Sequence, residues 1–404
     1  MIARTTRSPE QLATDARALF AVHFGSHAAE GVWLAPGRVN LIGDHVDYAH
    51  GLCLPFATSM ATAVAARRRS DGLVRMASLA PGGDLLAASL SLSDLVPAPA
   101  RGCLPDWRGY IAGTLRALLD GTGTGAAAKG MDLAVVSDVP LGSGLSSSAA
   151  LECAVGVAGR ELWGLNASAD DLIAAAMRAE NHYVGANTGG LDQNAVVRGR
   201  AGHALALDFL TSTHEQVPCD FRGHTLLVAD SHVEHSHATG GYGSRRGLID
   251  ELASSLACTF READVVQRTV AWAAGRAGAD PEVVRRRVRH VHSETARTAA
   301  AIAALKAGDI ARLGELMNAS HASLRDDYEV VPDELDTACR AARAAGAVGA
   351  RITGGGFGGS TIALCPDADA DSVATAIEAA TAAKGYPVPT IYATAPQDGA
   401  RRVW

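Results

Sequence analysis

Apolar residues recur at three- and four-residue spacing over residues 9–24, which predicts a helix. Short apolar runs near 32–42, 56–66, 73–79 and 85–92 follow, separated by turn residues, and predict strands. Helical spacing returns over Pro105–Leu119, with proline at the start, where its missing N–H costs nothing. Residues 131–138, MDLAVVSD, alternate like a strand. The Gly- and Ser-rich stretch Pro140–Ser148 comes directly after, and helical periodicity then runs from about Ser147 to Trp163. The order is therefore strand, glycine loop, helix. A second helix is expected over Asp170–Val184, then strands around Gln193–Val197 and His203–Leu207.

The segment LTSTHEQVPCD, residues 210–220, breaks this periodicity and divides the chain into 1–212 and 213–404. Beyond it the pattern predicts a strand at HTLLVAD, several helices between about 245 and 345, and strands flanking Gly354–Gly359. A helix near 370–384 and a strand near 388–393 complete the expectation. The fold class is α+β, with helices inserted between the strands of the second half. The Ala/Arg-rich stretches near 262–304 keep apolar positions at helical spacing and read as packed amphipathic helices.

With 404 residues, 48% of them hydrophobic, the chain can bury the cores of two domains. A formal net charge of -7 gives no general pull toward nucleic acid or acidic membrane, so a small-molecule partner is expected. The seven cysteines are widely spaced and never form C-x-x-C, which argues against a disulfide framework or zinc ribbon. They read as buried thiols in a reducing cytosol. The N-terminus lacks a signal-peptide core and no apolar run reaches membrane-spanning length, so a cytoplasmic location is expected. Lys129, Lys306 and Lys384, the only lysines, stand outside any G-x-x-x-x-G-K-[ST] or V-A-I-K context. Phosphate, if handled, is handled without such a lysine.

Three segments carry chemistry. Pro36–Tyr48, PGRVNLIGDHVDY, crowds Arg38, Asp44, His45 and Asp47 just after a predicted strand. Such residues supply the directional donors and acceptors that a polyol requires; the alternative is a polar loop whose Asp and Asn shape turns. Pro140–Ala150, PLGSGLSSSAA, places Gly142, Ser143, Gly144, Leu145 and Ser146 before Ser147 and Ser148 at a helix start, where free amides bind anions and serine hydroxyls can serve magnesium. The alternative is a helix capped by its own serines. Arg351–Ser360, RITGGGFGGS, puts five glycines into six positions, which suggests close approaches that a Cβ would forbid and a loop packed on the phosphate loop. A fourth cluster, Asp230–His237, has the His and acidic density of a zinc hydrolase, against the plainer reading of histidines in a loop leading to Tyr242.

In this order the three segments resemble the motifs of the GHMP kinases (galactokinase, homoserine kinase, mevalonate kinase, phosphomevalonate kinase). GRVNLIGDHVDY, AENHYVGANTGGLDQ, DSHVEHSHATGGYGSRR and SLRDDYEVVPDELDTAC are similar to the galactokinase family within them. The resemblance implies a two-domain GHMP kinase fold. Its first domain would be similar to the second domain of ribosomal protein S5, its second ferredoxin-like with inserted helices. It implies ATP-dependent phosphorylation of the anomeric hydroxyl of galactose, with galactose and MgATP as partners and a monomer rather than a large assembly. Asp192 takes the position of the catalytic aspartate and Arg38 stands beside it. Arg38, Asp44, His45, Asp47, Gly189, Asp192 and Tyr242 fall where the family contacts the sugar. Pro140, Gly142–Ser148 and Trp107 fall at the nucleotide, although Trp107 and Tyr110 as a bare pair read as core. Ser147 or Ser148, with Glu180, fall at the Mg²⁺ ligands. Other sugar 1-kinases of the fold, and a non-catalytic sensor of galactose and ATP, are the competing readings; retention of Arg38 and Asp192 argues against the sensor. Asp44 stands where glutamate is usual, Val46 for Thr, and Gly240-Gly241 for Ser-Glu. Asp44 is one methylene shorter, about 1.5 Å of reach, so wider tolerance at carbon 6 of the sugar is expected.

Overall fold

Helix α1 (Pro9–Phe24) begins on a capping box in which the Ser8 side chain accepts from the Gln11 amide and the Gln11 side chain accepts from the Ser8 N–H. Its stripe of Leu12, Ala16, Leu19 and Phe20 is buried because the strands beneath alternate faces. In strand β1 (Gly31–Asn40), Val32 and Leu34 meet α1, while Trp33 and Ala35 face the opposite layer. The structure, a computed structural model, describes residues 7–25, 28–80, 83–100, 102–123, 129–186, 188–233 and 238–404.

Strands β2 (Leu52–Cys53), β3 (Pro55–Arg69), β4 (Leu73–Leu79), β5 (Leu85–Ser91) and β6 (Gly130–Ser137) follow, with helix α2 (Trp107–Gly121) before β6. Helices α3 (Ser147–Leu162), α4 (Ala169–Arg178) and α5 (Leu191–Arg198) come next, then β7 (His203–Asp208), β8 (Thr213–Pro218) and β9 (His224–Asp230). The helical stretch comprises α6 (Ala238–Leu256), α7 (Val265–Ala274), α8 (Pro281–Ala307), α9 (Ile310–Ser323) and α10 (Asp333–Ala344). The remainder is β10 (Gly349–Thr353), β11 (Ser360–Pro366), α11 (Ala370–Ala383), β12 (Thr390–Thr394) and β13 (Arg401–Arg402).

Among the described residues the strands make three sheets. The first has the order β13-β1-β3-β6-β4-β5, antiparallel except for β4 on β6, with α1 on one face and α2, α3 and α4 on the other. The second, β10-β11-β9-β12, is antiparallel and reads 4-1-3-2 when its strands are numbered along the chain, a ferredoxin-like order. Side chains from both halves, including Val39, Phe56 and Leu145 from the first and Leu226, Met317 and Ile362 from the second, share one core between these sheets. The small sheet β2-β7-β8 fills the corner.

The expected α+β class and most element positions agree with the structure. Residues 193–197 do not: they lie in helix α5, because Leu191, Ala195 and Val196 bury at helical spacing and Gly190, at φ 93, turns the chain into the helix. The helix expected over Asp170–Val184 is α4 plus a π-helical turn, Ala179–Val184. The aperiodic segment 210–220 contains β8, paired with β7 across Asp208 and Thr213. Of the Asp230–His237 cluster, residues 234–237 lie outside the described residues; among the described ones, no group of three His, Cys, Asp or Glu is placed to hold a metal. The seven cysteines are free, and all but Cys103 are buried. No helix among the described residues is long and apolar enough to cross a membrane.

The loop after β1 is docked onto α8. Glu294, completely buried, accepts from the Gly43 amide (3.1 Å), the Ser320 hydroxyl (2.5 Å) and Arg297 Nε (2.7 Å). Burial alone would push this carboxyl up; Arg297, His290 and Arg351 together hold it at about 2. Its folded value lies below the unfolded one, so its stabilisation is complete above the unfolded value of 4.5 and is lost as pH falls toward 2. Glu294→Gln is expected to lower urea stability at pH 7 by about 3–5 kcal/mol, the range for breaking a buried pair. The gap to the parent should shrink between pH 5 and pH 2; a gap independent of pH would show that the charge is not what matters.

Candidate active site

Arg38 leaves β1 at a bulge. The register to β3 shifts between Pro36 and Arg38, and a Cβ on Gly37 would lie 2.7 Å from the Leu145 carbonyl, so only glycine lets the strand approach the Gly/Ser loop this closely. The Arg38 amide donates to that same carbonyl (3.0 Å). Its side chain points across the loop. Nε and Nη2 each lie 2.7 Å from Asp192 Oδ1, and Nη1 donates to the Gly144 carbonyl (2.5 Å). Asp192 is the second residue of α5, and its Oδ2 accepts from the Ser146 hydroxyl (2.5 Å).

Ser146 occupies the position before α3 in a left-handed conformation (φ 60), and its side chain makes no capping bond. The self-capping alternative for this serine therefore does not hold; the hydroxyl has been turned to the aspartate. Gly142 and Gly144 are also left-handed, at φ 70 and 73. Ser143 donates to the Pro140 carbonyl (2.8 Å) within the loop, and Leu145 buries its side chain in the shared core, so their routes to a ligand are their amides. The third glycine-rich segment packs on this loop as expected. A Cβ on Gly354 would meet the Gly144 carbonyl at 2.9 Å, one on Gly359 the Ser143 carbonyl at 2.9 Å, and Ser360 donates to Ser143 O (2.7 Å).

Ser148, one residue into α3 beyond Ser147, donates to Glu180 Oε1 (3.0 Å). The other Glu180 oxygen accepts from Gln193 Nε2 (2.7 Å), whose remaining hydrogen goes to Glu152 (3.1 Å). Burial and the neighbouring Asp192 push the Glu180 carboxyl to about 7. Glu152, completely buried, is pushed far up by burial and by Glu180. Hard oxygen donors gathered where carboxylates resist ionisation fit a divalent cation such as Mg²⁺. Trp107 is the first residue of α2, whose N-cap Asp106 accepts from the Arg108 amide, and it packs partly buried against the first core; burial beside Glu180 raises Tyr110.

Beside Asp192 opens a cavity of about 200 Å³. Arg38, Asp44, His45, Asp47, Gly189, Asp192 and Tyr242, the seven positions expected at the sugar, all line it, joined by Tyr48, Thr188, Gly190, Leu191, Gly354 and Gly355. A Cβ on Gly189 would fall 2.0 Å from Asp47 Oδ2, so this glycine makes room for the carboxylate. Burial and the charge of Asp192 lift Asp47 to about 6. Asp44 accepts from Arg351 Nη2 (2.5 Å) and the Gly354 amide (3.2 Å); burial pushes its carboxyl up and Arg351 acts against it. The sequence analysis gave no role to Arg351, Gln193 or Tyr48, although all three lie inside segments it marked, and nothing in the sequence signalled the Ser146 contact to Asp192.

The family description "GHMP kinases N terminal domain" matches residues 109–200, "Galactokinase galactose-binding signature" matches 18–68, and "GHMP kinases C terminal" matches 301–383. A galactokinase of Streptomyces coelicolor is 43% identical over 93% of this chain and 94% of its own length; one from Roseiflexus sp. is 39% identical over 96% of each. The crystal structure of Lactococcus lactis galactokinase complexed with galactose superposes with a TM-score of 0.83 at 32% identity, covering 96% of this chain and 98% of that one. L. major mevalonate kinase, at 21% identity, TM-score 0.60, and coverage of 91% and 96%, shares the fold.

The acidic side of the site yields an expectation about stability. Because the folded value of Glu152 lies above the unfolded one, the folded state holds its proton longer, and the residue penalises folding increasingly as pH rises past 4.5. Glu152→Gln keeps an acceptor for Gln193 and removes that penalty. Its urea midpoint, measured without nucleotide or divalent cation, should exceed the parent's by a margin that widens from pH 4.5 to 7.5. A constant or reversed margin would mean that Glu152 is ionised in the fold.

Proposed function

Because this chain belongs to the galactokinases of the GHMP kinase family, we propose that the cavity beside Arg38 holds galactose with its anomeric hydroxyl on the Asp192 carboxylate. The reaction moves the γ-phosphoryl group of ATP onto that hydroxyl, giving galactose 1-phosphate and ADP. One observation carries the assignment of roles: the Arg38 guanidinium bonds the Asp192 carboxylate and the Gly144 carbonyl of the phosphate loop together. Acceptor and donor are thereby set on either side of one fixed positive charge.

Phosphoryl transfer asks the protein mainly for positioning and charge stabilisation. Asp192, oriented by Arg38 and Ser146, accepts the hydrogen of the anomeric hydroxyl and aims its oxygen at the phosphate loop. Arg38 offsets charge on the transferring group. The amides around Gly142–Ser147, at the start of α3, bind the phosphates with no lysine. Ser148 and Glu180, already in contact with each other, would hold Mg²⁺, which would supply positive charge to offset that of the phosphates. Asp47, the Gly189 amide and the Tyr242 hydroxyl take the sugar's hydroxyls. Asp44, already accepting from Arg351 and Gly354, reaches carbon 6 through water, which widens tolerance there.

Asp192→Ala is expected to lower kcat by about 10² to 10⁴-fold, the usual worth of a group that handles the proton. It should also lower the melting temperature, because the buried Arg38 loses its carboxylate partner; turnover is therefore compared at a temperature where both proteins are folded. Ser148→Ala should raise the Mg²⁺ concentration needed for half-maximal rate while leaving galactose affinity, measured by calorimetry, where it was. Near-normal turnover in Asp192→Ala, followed through coupled ADP release, would overturn the assignment.

A further inference from the structure

The hydrogen bonds around His45 fix the place of every proton. The Gly355 carbonyl only accepts, so His45 Nε2, 3.1 Å away, carries the hydrogen. Burial, with His290 nearby, lowers the imidazole to about 3, so the ring is neutral and Nδ1 is a bare acceptor. The Tyr48 hydroxyl, 2.9 Å from Nδ1, must donate to it. Having spent its hydrogen there, Tyr48 accepts from the Tyr328 hydroxyl at 2.8 Å. Donation runs in one direction, from Tyr328 through Tyr48 and His45 to the carbonyl of the third glycine-rich loop. Tyr328, completely buried, ends a π-helical turn (Leu324–Tyr328) of the second half and packs in a tilted arrangement against His290 of α8, ring centroids 4.6 Å apart.

A neutral imidazole has one donor and one acceptor. Both are used. We propose that the His45 imidazole makes no hydrogen bond to the sugar and is instead a positioning group, held by Tyr48 and Tyr328, that fixes the wall of the sugar cavity at Gly355. This rests on the galactose reading above and differs from the expectation that the His45 side chain meets a sugar hydroxyl. Its consequence is specific: the worth of His45 is the same for every sugar that fits the cavity, whichever hydroxyls that sugar carries. Tyr328 acts on the pocket from a helical element that does not line it.

The test combines variants with deoxysugars. kcat and KM are measured for galactose and its 2-, 4- and 6-deoxy forms with the parent, His45→Ala, Tyr48→Phe and Tyr328→Phe. The expected result is a KM raised roughly tenfold, the order set by one buried group left unsatisfied, with kcat within about threefold and the same factor for all four sugars. The tyrosine variants, which lose one oxygen each, decide the matter if His45→Ala does not fold. A penalty that vanishes for one deoxysugar alone would show a bond from His45 to that hydroxyl and overturn the proposal. An unchanged KM in both folded tyrosine variants would overturn it too. Ring ¹⁵N spectra of histidine-labelled parent give a readout free of turnover: His45 should be the Nε2–H tautomer at pH 7, unmoved by galactose and altered in Tyr48→Phe. If the parent failed to phosphorylate galactose, the galactose reading would fall, while the spectra would still decide the relay.

Discussion

Arg38 is bonded through Nε and Nη2 to a carboxylate on α5 and through Nη1 to a carbonyl of the loop before α3, while its own amide is bonded to the next carbonyl of that loop. A planar fork with fixed angles cannot satisfy those partners from more than one placement. The bulge in β1 carries Arg38 to the loop, the short helix α5 brings Asp192 to it, and the left-handed backbone of Ser146 turns that hydroxyl to the other oxygen of Asp192, all around an arginine that is only 6% exposed. Lysine could supply the charge but not the geometry.

Around this centre the protein assembles more acid than it can comfortably ionise. Asp47, Glu152 and Glu180 are all shifted upward, burial being the largest cause in each. Gln193 keeps Glu152 and Glu180 apart by donating one hydrogen to each. A site poised in this way is incomplete in charge until a cation or positively compensated substrate arrives, so binding relieves a repulsion that folding accepted. The basic counterpart lies deeper. Arg351 and Asp44 are both buried, and Arg297, partly exposed, reaches the buried Glu294; an ion pair so placed gives little net stability but penalises any other arrangement of the loop.

The motifs were legible because their functional atoms are contiguous: a loop that binds phosphate or sugar writes its residues side by side. Elements of ten or more residues were legible from their period. Five residues at 193–197 were not, since so short a run shows neither period clearly and the decision fell to Leu191, Ala195 and Val196 packing into the first half. The partners that hold the motifs in place were hidden for another reason. Arg351 is 307 residues from Asp44, Tyr328 is 280 from Tyr48, and Glu294 is 251 from Gly43, separations at which one sequence carries no pairing signal. Ser146 was read as a candidate ligand of the nucleotide, and only the geometry shows that it serves the aspartate.

Strand β13 pairs with β1 at Trp33 and Leu34, and the Trp404 carbonyl accepts from the Val32 amide. The strand that presents Arg38 is thus covered on one side by residues made more than 360 positions later. Without that pairing this edge of β1 would present unpaired N–H and C=O groups, which another extended chain could join. Completing the first sheet therefore takes a pairing of very high sequence separation, whose loop-closure entropy must be met before the contact stabilises anything.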